Sequence, residues 1–245
     1  MTETLYSLNC YITEFEATVT KITDNKFVVL DRTAFYPESG GQPSDMGKLI
    51  RKSDRAEFGV SYVGKFDGYI GHEVVYPGGN VSMRLKAGDN VKGIIDWDHR
   101  YMHMRMHTAT HVIANVIEKE AGAQITGNQL GIDQSRVDFS LETFDRDKFT
   151  EYEKIANELI AQNNPINLYL VSRKEAEERL LRLTTLAKGF SDEIKEVRIV
   201  EIEEVTIEAC GGTHVKNTNE LRGIKIIKLQ NKGKNNRRMY FTLEE

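Results

Sequence analysis

Two pairs of metal-ligating side chains stand out in the sequence. His107 and His111 are four residues apart in a stretch without glycine or proline, and Cys210 and His214 are four residues apart across two glycines. On a helix, side chains four positions apart lie on one face, about 6 Å apart at Cβ, so two imidazoles there can bind one ion. Thiolate and imidazole ligands suit Zn²⁺. The sequence therefore predicts one zinc ion per chain, bound by these four residues.

The surroundings of these pairs refine the prediction. The two glycines between Cys210 and His214 lack a Cβ, so the backbone is expected to turn tightly and direct both side chains at one point. The alternative is a buried free cysteine in a glycine-rich turn beside a surface histidine. His99 and His103 continue the four-residue spacing, but the helical stripe drifts by about 40° at each step. Both are therefore placed outside the site, packed or exposed to solvent, with a position of His103 behind the metal ligands as the alternative.

The residue after the first histidine argues against a protease. A metalloprotease helix carries a glutamate general base there, whereas this chain has Thr108. Four protein ligands also tend to close a zinc site, so hydrolysis requires one weak ligand or an expansion to five-coordination. Such a metal suits a substrate that is already reactive, for example an activated ester. No side chain is assigned as the general base.

The composition describes a folded chain without signals for a membrane or for disulfides. Of 245 residues, 40% are hydrophobic and 29% are charged. No apolar run reaches the ~20 residues of a membrane helix, and the start of the chain lacks the pattern of a signal peptide. Two cysteines are too few for a disulfide scaffold, so we expect a cytoplasmic protein. At a net charge of −4, nucleic-acid binding requires a local basic patch.

Residues 1–95 are predicted to form a small β-barrel domain, because short β-branched and aromatic runs alternate with Gly, Asn and Asp turns. Strands are expected at 16–22, 26–31, 57–63 and 72–76, with His72 in a structural role. Apolar residues at helical spacing then run from Asp98 to Glu120 and end before Gly122. The domain boundary is therefore placed near residue 95.

Residues 96–245 are predicted to form a second domain. Helices are expected at 98–120, 145–162 and 174–188, strands at 123–125, 136–140, 166–171 and 196–202, and a hairpin at 222–243. Pro165 ends the second helix because proline cannot continue it. The predicted fold class is α+β, with a small amino-terminal β-barrel followed by a zinc-binding α+β domain.

These motifs resemble those of a known family. His107-Thr-Ala-Thr-His111 and Cys210-Gly-Gly-Thr-His214, together with Ile94-Ile-Asp-Trp97, are similar to motifs of the freestanding alanyl-tRNA editing proteins. That family is related to the editing domain of alanyl-tRNA synthetase, and the resemblance covers nearly the whole chain. Threonyl-tRNA synthetase has a similar element, but Gly-Gly-Thr between the cysteine and the histidine looks like the alanyl branch. The resemblance implies a zinc-containing editing domain that acts on aminoacyl-tRNA.

Two further segments resemble substrate-binding regions of the family. Residues 35–47 are similar to the glycine-rich motif of the longer, barrel-bearing members, in which this loop approaches the editing site. Residues 126–129, followed by 136–140, look like the segment that lines the substrate pocket. The candidate substrate-binding residues are Gly40, Gly41, Gln42, Asn128, Gln129 and Thr213.

Both segments also have plain structural alternatives. In the first, Gly40 and Gly41 permit close backbone approach to a ligand, and Ser39, Gln42 and Asp45 offer polar groups, but a tight barrel turn has the same composition. In the second, a strand turn with solvated amides is the alternative.

A local basic patch lies near the carboxyl end. Between residues 222 and 238 the chain has no acidic residue and seven cations, namely Arg222, Lys225, Lys228, Lys232, Lys234, Arg237 and Arg238. The hairpin tip at 231–236 is expected to lie against phosphates of a tRNA acceptor stem. A solvated hairpin tip is the alternative. Nothing in this pattern indicates recognition of particular bases.

Residues and resemblance together predict a zinc-dependent hydrolase that acts in trans on the acceptor end of tRNA(Ala). It would remove wrongly attached serine, with glycine as a second candidate. Two other classes stay open, a zinc-stabilised tRNA-binding module without hydrolysis and a metal-dependent esterase or amidase for small molecules. Retained tRNA binding without deacylation would identify the binding module. Turnover of simple serine esters that does not depend on the tRNA body would identify the small-molecule enzyme.

Overall fold

The structure is a computed structural model that describes residues 2–24, 26–66, 68–76, 84–143, 145–180 and 195–245. Within these ranges the chain is a mixed α/β protein, built mostly from strands, with three α-helices. It divides into two compact units, residues 1–102 and 103–245. None of the described helices is long and apolar enough to cross a membrane.

The first unit is built from β-strands. They are β1 (Glu3–Thr4), β2 (Glu14–Thr23), β3 (Phe27–Leu30), β4 (Arg32–Thr33), β5 (Gly47–Arg51), β6 (Glu57–Phe66), β7 (Tyr69–Val75) and β8 (Asn90–Ile95). Six of them pair in the closed order β2-β3-β7-β6-β5-β8 and form a barrel. The two-residue strands β1 and β4 pair in parallel beside it, and a short 3-10 helix at Leu5–Ser7 follows β1.

Alternate residues fill the barrel interior. In β2 the side chains of Phe15, Ala17 and Val19 are buried, as the two-residue period of a strand requires. The ring of Phe15 lies over Gly93 in β8, where a Cβ would come within 2.3 Å of the ring. This glycine interrupts the apolar alternation of β8, which is why the sequence pattern alone does not indicate a strand there.

The second unit holds two antiparallel sheets and most of a long helix. Its elements are α1 (Trp97–Ala121), β9 (Ile125–Gln129), β10 (Ser135–Phe139), α2 (Arg146–Ala161), β11 (Ile166–Ser172), α3 (Arg173–Leu180), β12 (Glu196–Ile202), β13 (Thr206–Ala209), β14 (Ile224–Asn231) and β15 (Arg237–Leu243). One sheet has the order β14-β15-β10-β9 and the other the order β11-β12-β13. A 3-10 helix at Thr218–Leu221 precedes β14.

Most of the expected elements lie close to their predicted positions. Asp145 caps α2 by accepting hydrogen bonds from the backbone N–H groups of Asp147 at 3.0 Å and Lys148 at 3.4 Å. The strand expected at 123–125 is displaced, because β9 extends to Gln129 and includes the residues expected in a turn. Polar residues fit this strand since it lies at the edge of its sheet. Helix α3 is described to Leu180, and the predicted continuation to 188 lies outside the described residues.

The two compact units are divided between residues 102 and 103, inside α1, and the domain boundary near residue 95 stays a prediction. The side chain of Arg100, in the first turn of α1, is buried within the first unit. Its Nε donates to Asp45 Oδ1 at 2.8 Å, and its Nη1 donates to the carbonyl oxygen of Cys10 at 2.8 Å. The start of the helix is thereby part of the barrel unit, and the histidine pair is part of the second unit.

Candidate metal centre

Helix α1 places the two histidines of the first motif. It starts beyond Asp96, whose side chain accepts a hydrogen bond from the N–H of His99 at 3.3 Å. It ends at Gly122, which has φ +64° and donates its N–H to the Glu118 carbonyl oxygen at 2.8 Å. Between these ends no glycine or proline interrupts the 25 residues of the helix. The four-residue spacing therefore stays regular and directs both imidazoles to one side.

The second pair of donors comes to the same place from the other end of the unit. Cys210 follows directly after β13, and its Sγ lies 3.6 Å from His107 Nε2 and 3.4 Å from His214 Nε2. One donor atom from each of the residues His107, His111, Cys210 and His214 lies within 4.8 Å of the others. The structure thus brings together the four residues that the sequence singles out.

Side chains behind the donors orient two of the imidazoles. The hydroxyl of Thr108 lies 3.1 Å from His214 Nδ1 and accepts the N–H of Val215 at 3.4 Å. The buried Nδ1 of His111 lies 3.2 Å from Glu208 Oε2, a contact short enough for an ion pair but not aligned as a hydrogen bond. Contacts to Nδ1 leave Nε2 of these rings for a metal ion.

Burial and charge set the protonation of the cluster. Burial alone would raise the pKa of the Cys210 thiol, but the surrounding imidazoles of His107, His111 and His214 hold it well below its ordinary value. Burial lowers the pKa of His214 to about 3, and the neighbouring His107 acts in the same direction. Burial would also lower the pKa of His111, yet Glu208 and Cys210 outweigh burial and raise that pKa well above its ordinary value. Two anionic side chains therefore favour a cation here.

This donor set fits Zn²⁺. Tetrahedral zinc with bonds of about 2.0–2.3 Å separates neighbouring ligand atoms by roughly 3.3–3.8 Å. The two Sγ–Nε2 distances, 3.6 and 3.4 Å, lie within that range. One thiolate and three imidazoles also match the softness that zinc accepts. What stays a prediction is the identity of the ion.

The turn between Cys210 and His214 does not use the backbone freedom of its two glycines. Neither Gly211 nor Gly212 is among the residues with positive φ, so the turn does not need a backbone conformation reserved for glycine. A Cβ at Gly211 would meet no atom within 4 Å. Gly211 is itself exposed, so it leaves open space next to Cys210.

The remaining histidines are placed as follows. His103 is buried on α1 and His99 is partly exposed, and neither belongs to the four-residue donor group found in the described part of the chain. His72 is fully buried in the barrel, with Nδ1 at 2.9 Å from the Val28 carbonyl oxygen and Nε2 at 2.8 Å from Thr33 Oγ1.

The glycine-rich segment forms a tight turn within the barrel unit. Gly40 and Gly41 have φ of +59° and +84°, and Ser39 and Gln42 exchange backbone hydrogen bonds across them at 3.2 and 2.9 Å. Positive φ at both central residues is the signature of a type I′ turn, in which glycine is a favoured residue. Both glycines are exposed, whereas Gln42 has no exposed surface. Their contact with substrate stays a prediction.

Asp45 in the same segment is a structural residue and does not offer a free polar group to a ligand. Its carboxylate is 1% exposed and pairs with Arg100, and it accepts the N–H of Tyr36 at 2.5 Å. The nearby Gly47 is required by packing, because a Cβ there would lie 2.1 Å from the Ile94 carbonyl oxygen.

The two amides of the second substrate-binding segment lie on opposite faces of their sheet. Asn128 pairs with Val137, and Gln129 pairs with Arg136. Successive strand residues face opposite sides, so the two side chains cannot line the same face. Val137 is fully buried, which places Asn128 on the inner face. Thr213, the remaining candidate, is fully buried one residue before the metal ligand His214.

Two of the seven hairpin cations bind other groups of the protein, so they are less available to tRNA phosphates than the sequence suggests. Arg237 is 6% exposed, and its Nη1 donates to the Gly233 carbonyl oxygen at 2.6 Å. The Nε of Arg238 donates to Asp138 Oδ1 at 2.7 Å. The exposed cations are Arg222, Lys225, Lys228, Lys232 and Lys234.

The contact of Glu208 with His111 is missed by reasoning from metal-ligand spacing. A signal does exist in the sequence. Glu208 precedes Cys210 by two residues, and residues two apart in an extended strand share a face. Only the fold shows that His111 lies on that face.

Comparisons with known proteins identify the relatives of this chain. The family model described as the threonyl and alanyl tRNA synthetase second additional domain matches residues 197–240, and a class II (A) tRNA synthetase model matches residues 5–99. The alanyl-tRNA editing protein AlaX-M of Methanosarcina barkeri is 82% identical over 243 residues, 99% of either chain. The AlaX-M of Saccharolobus solfataricus is 39% identical over the full length of both chains.

A longer protein shares the same region. An alanine–tRNA ligase of Methanococcus maripaludis is 38% identical over 232 residues, which are 94% of this chain and 24% of the ligase. The similarity to AlaX-M proteins extends over nearly the whole chain at identities far above the level at which membership is in doubt. The chain therefore belongs to the AlaX-M family of alanyl-tRNA editing proteins, which is related to the editing domain of alanyl-tRNA synthetase.

Proposed function

We propose that this protein deacylates tRNA(Ala) that carries serine, with glycine as a second substrate, and that it acts in trans at the acceptor end. Alanyl-tRNA editing proteins are deacylating hydrolases that act on mischarged tRNA. The observation that carries the proposal for this chain is the convergence of three imidazoles and one thiol within 4.8 Å of one another. An aminoacyl ester is an activated substrate, which suits a metal held by four protein ligands. We place this activity in the cytoplasm, where charged tRNA is used.

His107, His111, Cys210 and His214 would hold Zn²⁺. When bound, this ion would act as a Lewis acid that polarises the ester carbonyl. The chain's own groups supply position and access. The hydroxyl of Thr108 holds the ring of His214 in place, and the open space beside Gly211 gives a substrate access to the turn that carries Cys210.

Discrimination against alanine requires a group that pairs with the serine hydroxyl. A pocket built to hydrogen-bond a hydroxyl rejects a substrate without it by several orders of magnitude, because its own polar group would stay unpaired. Thr108 and Thr110 are already engaged, with His214 and with the Met106 carbonyl oxygen. Of the predicted substrate-binding amides, Asn128 on the inner sheet face is the better candidate.

Single-turnover deacylation of tRNA(Ala) charged with serine, glycine or alanine tests the proposal. We expect the seryl ester to be cleaved much faster than the alanyl ester, and we expect His107→Ala and His214→Ala to abolish the difference. Equal rates on both esters, or full activity after chelation, would contradict editing and favour a general esterase.

A second candidate is favoured by the ligand count. Four protein donors suffice to close a zinc site, and a closed site is structural. The protein would then be a zinc-stabilised tRNA-binding module. Retained tRNA binding with no deacylation of any ester, by protein shown to contain zinc, would identify this function.

A further inference from the structure

The lysines of the barrel and those of β14 have different surroundings. Four barrel lysines each pair with a glutamate, in the pairs Lys26–Glu73, Lys48–Glu57, Lys52–Glu16 and Lys92–Glu14, at 2.5–3.2 Å. Lys225 and Lys228 in β14 are exposed, and no carboxylate of the described residues lies within 4.0 Å of either ammonium group. These four barrel lysines are neutralised by a neighbouring carboxylate, whereas the two lysines of β14 are available to an external anion.

A β-bulge puts these two lysines on the same face of the sheet. Lys225 pairs with Thr242 and Lys228 with Tyr240, and the register shifts between Ile226 and Lys228. In a regular strand, residues three apart face opposite sides. The bulge absorbs one residue, Ile227, so Lys225 and Lys228 follow the same alternate positions of β15. Two positions along a strand correspond to about 7 Å.

The neighbouring residues of this face extend its positive charge. Arg136 is opposite Tyr240 in β10, and the Lys228 ammonium lies 5.6 Å from the centre of the Tyr240 ring. Asp138 is the next residue of β10 on this face, and it lies opposite Arg238. Both of its carboxylate oxygens accept hydrogen bonds from the Arg238 guanidinium, at 2.7 and 2.9 Å. This acid is therefore not free to neutralise the lysines. We call Lys225, Lys228, Arg136 and Tyr240 the β14 lysine face.

We propose that the β14 lysine face binds the phosphate backbone of an RNA, which rests on the proposed function because that function makes tRNA the partner. Unpaired lysines are point charges that bind phosphates without reading base sequence. A partly exposed aromatic ring among cations is typical of surfaces that follow a nucleic-acid strand. The chain as a whole carries a net charge of −4, so the face is a local exception that orients a polyanion.

The test is binding of tRNA(Ala) transcript to the zinc-loaded full chain, measured by fluorescence anisotropy between about 50 and 200 mM salt. The variant is K225E/K228E, and the matched control is K174E/K195E, which changes the charge equally at two exposed lysines of the same unit. We expect the first variant to bind about 10–100-fold more weakly. Its plot of log affinity against log salt should also be less steep, by about 2 units of slope. The control is expected to bind as the unaltered protein does.

A slope and an affinity equal to those of the unaltered protein would overturn the proposal. Should K225E/K228E melt at a lower temperature than the control, K225Q/K228Q answers the same question without placing carboxylates on the strand, and an unchanged slope for it is equally decisive. Failure of the proposed function looks different. In that case the unaltered protein binds tRNA with a slope that depends on this face but does not deacylate the seryl ester. Deacylation with no dependence on the face refutes the docking surface alone.

Discussion

The two units complete their buried polar clusters in different ways. In the barrel unit, Arg100 and Asp45 satisfy each other and the neighbouring backbone, with exposures of 0% and 1%. In the second unit, His107, Cys210 and His214 direct their donor atoms at one another, with contacts as short as 3.4 Å. Opposite charges make the first cluster complete by itself. The second cluster instead brings one thiol and three imidazoles within 4.8 Å of one another, and this set of ligand types is the physical basis for expecting a metal there.

The largest expected effect concerns the buried pair of Arg100 and Asp45 in the barrel unit. Arg100→Met leaves the Asp45 carboxylate buried without its positively charged partner, so we expect a loss of about 3–5 kcal/mol in the free energy of unfolding. Denaturant unfolding in the presence of a chelator measures this loss without a contribution from metal. Arg32→Met is the control, because its pair with Glu3 at 3.1 Å is half-exposed and worth about 0–1 kcal/mol. A loss as small as in the control would show that the barrel cluster is not what holds the start of α1.

Removal of the metal ranks second. The unaltered protein is expected to contain one zinc per chain and to be stabilised by about 2.7 kcal/mol when free zinc is 100-fold above its dissociation constant. Cys210→Ala removes the only thiolate of the site, so both zinc and this stabilisation should be lost. Cys10→Ala changes the second cysteine, which is buried and contacts the Tyr6 carbonyl oxygen at 3.5 Å, and this variant should keep its zinc. Elemental analysis decides, and unchanged zinc in Cys210→Ala would disprove the site.

A pH effect is expected from the barrel. Burial lowers the pKa of His72 to about 4. The unfolded chain therefore binds a proton between pH 6.5 and 4 that the folded chain does not, and stability is complete above about pH 6.5 and falls as the pH falls. Between pH 7.5 and 5 the loss is about 2 kcal/mol. His72→Gln should remove this part of the slope in urea unfolding of the metal-free protein, and parallel slopes for both proteins would refute the assignment.

The smallest expected effect concerns the residue behind a metal ligand. Glu208→Gln keeps the shape of the side chain but removes the charge next to His111, so zinc affinity should fall about tenfold, or ~1.4 kcal/mol. Competition with a chromophoric chelator measures the affinity, and the visible spectrum of the Co²⁺ form reports the ligand geometry. Glu196→Gln, at an exposed strand end, should change neither. Equal affinities for both variants would show that Glu208 does not act on the metal site.

Sequence patterns predicted the local part of the site well. His107 and His111 are related by helical periodicity alone, and Cys210 and His214 by a five-residue segment, so short-range geometry suffices to pair them. The strand that carries Asn128 and Gln129 was harder to predict, because its residues are polar and lie at a sheet edge. Its extension to Gln129 depends on pairing with β10, which is a tertiary property.

The number of cations in the hairpin sequence was a poor predictor of how many are available to a ligand. All seven cations of the hairpin look alike in the sequence, yet Arg237 is buried and Arg238 is paired with Asp138 in a neighbouring strand. In addition, regular alternation places Lys225 and Lys228 on opposite faces, and the bulge reverses that expectation. Long cationic side chains take their role from the partners that the fold provides, and no window of sequence contains those partners.

The sequence by itself determined the donor types, the spacing within each ligand pair and the family, because these depend on residue identity and on the regular repeat of a helix. The tertiary structure decided that the two pairs meet, that Glu208 lies behind His111 and that Asp45 is sealed by Arg100. Each of those contacts joins residues at least 55 positions apart in the chain. Contacts at that separation are fixed by the packing of sheets and helices, which local propensity does not specify.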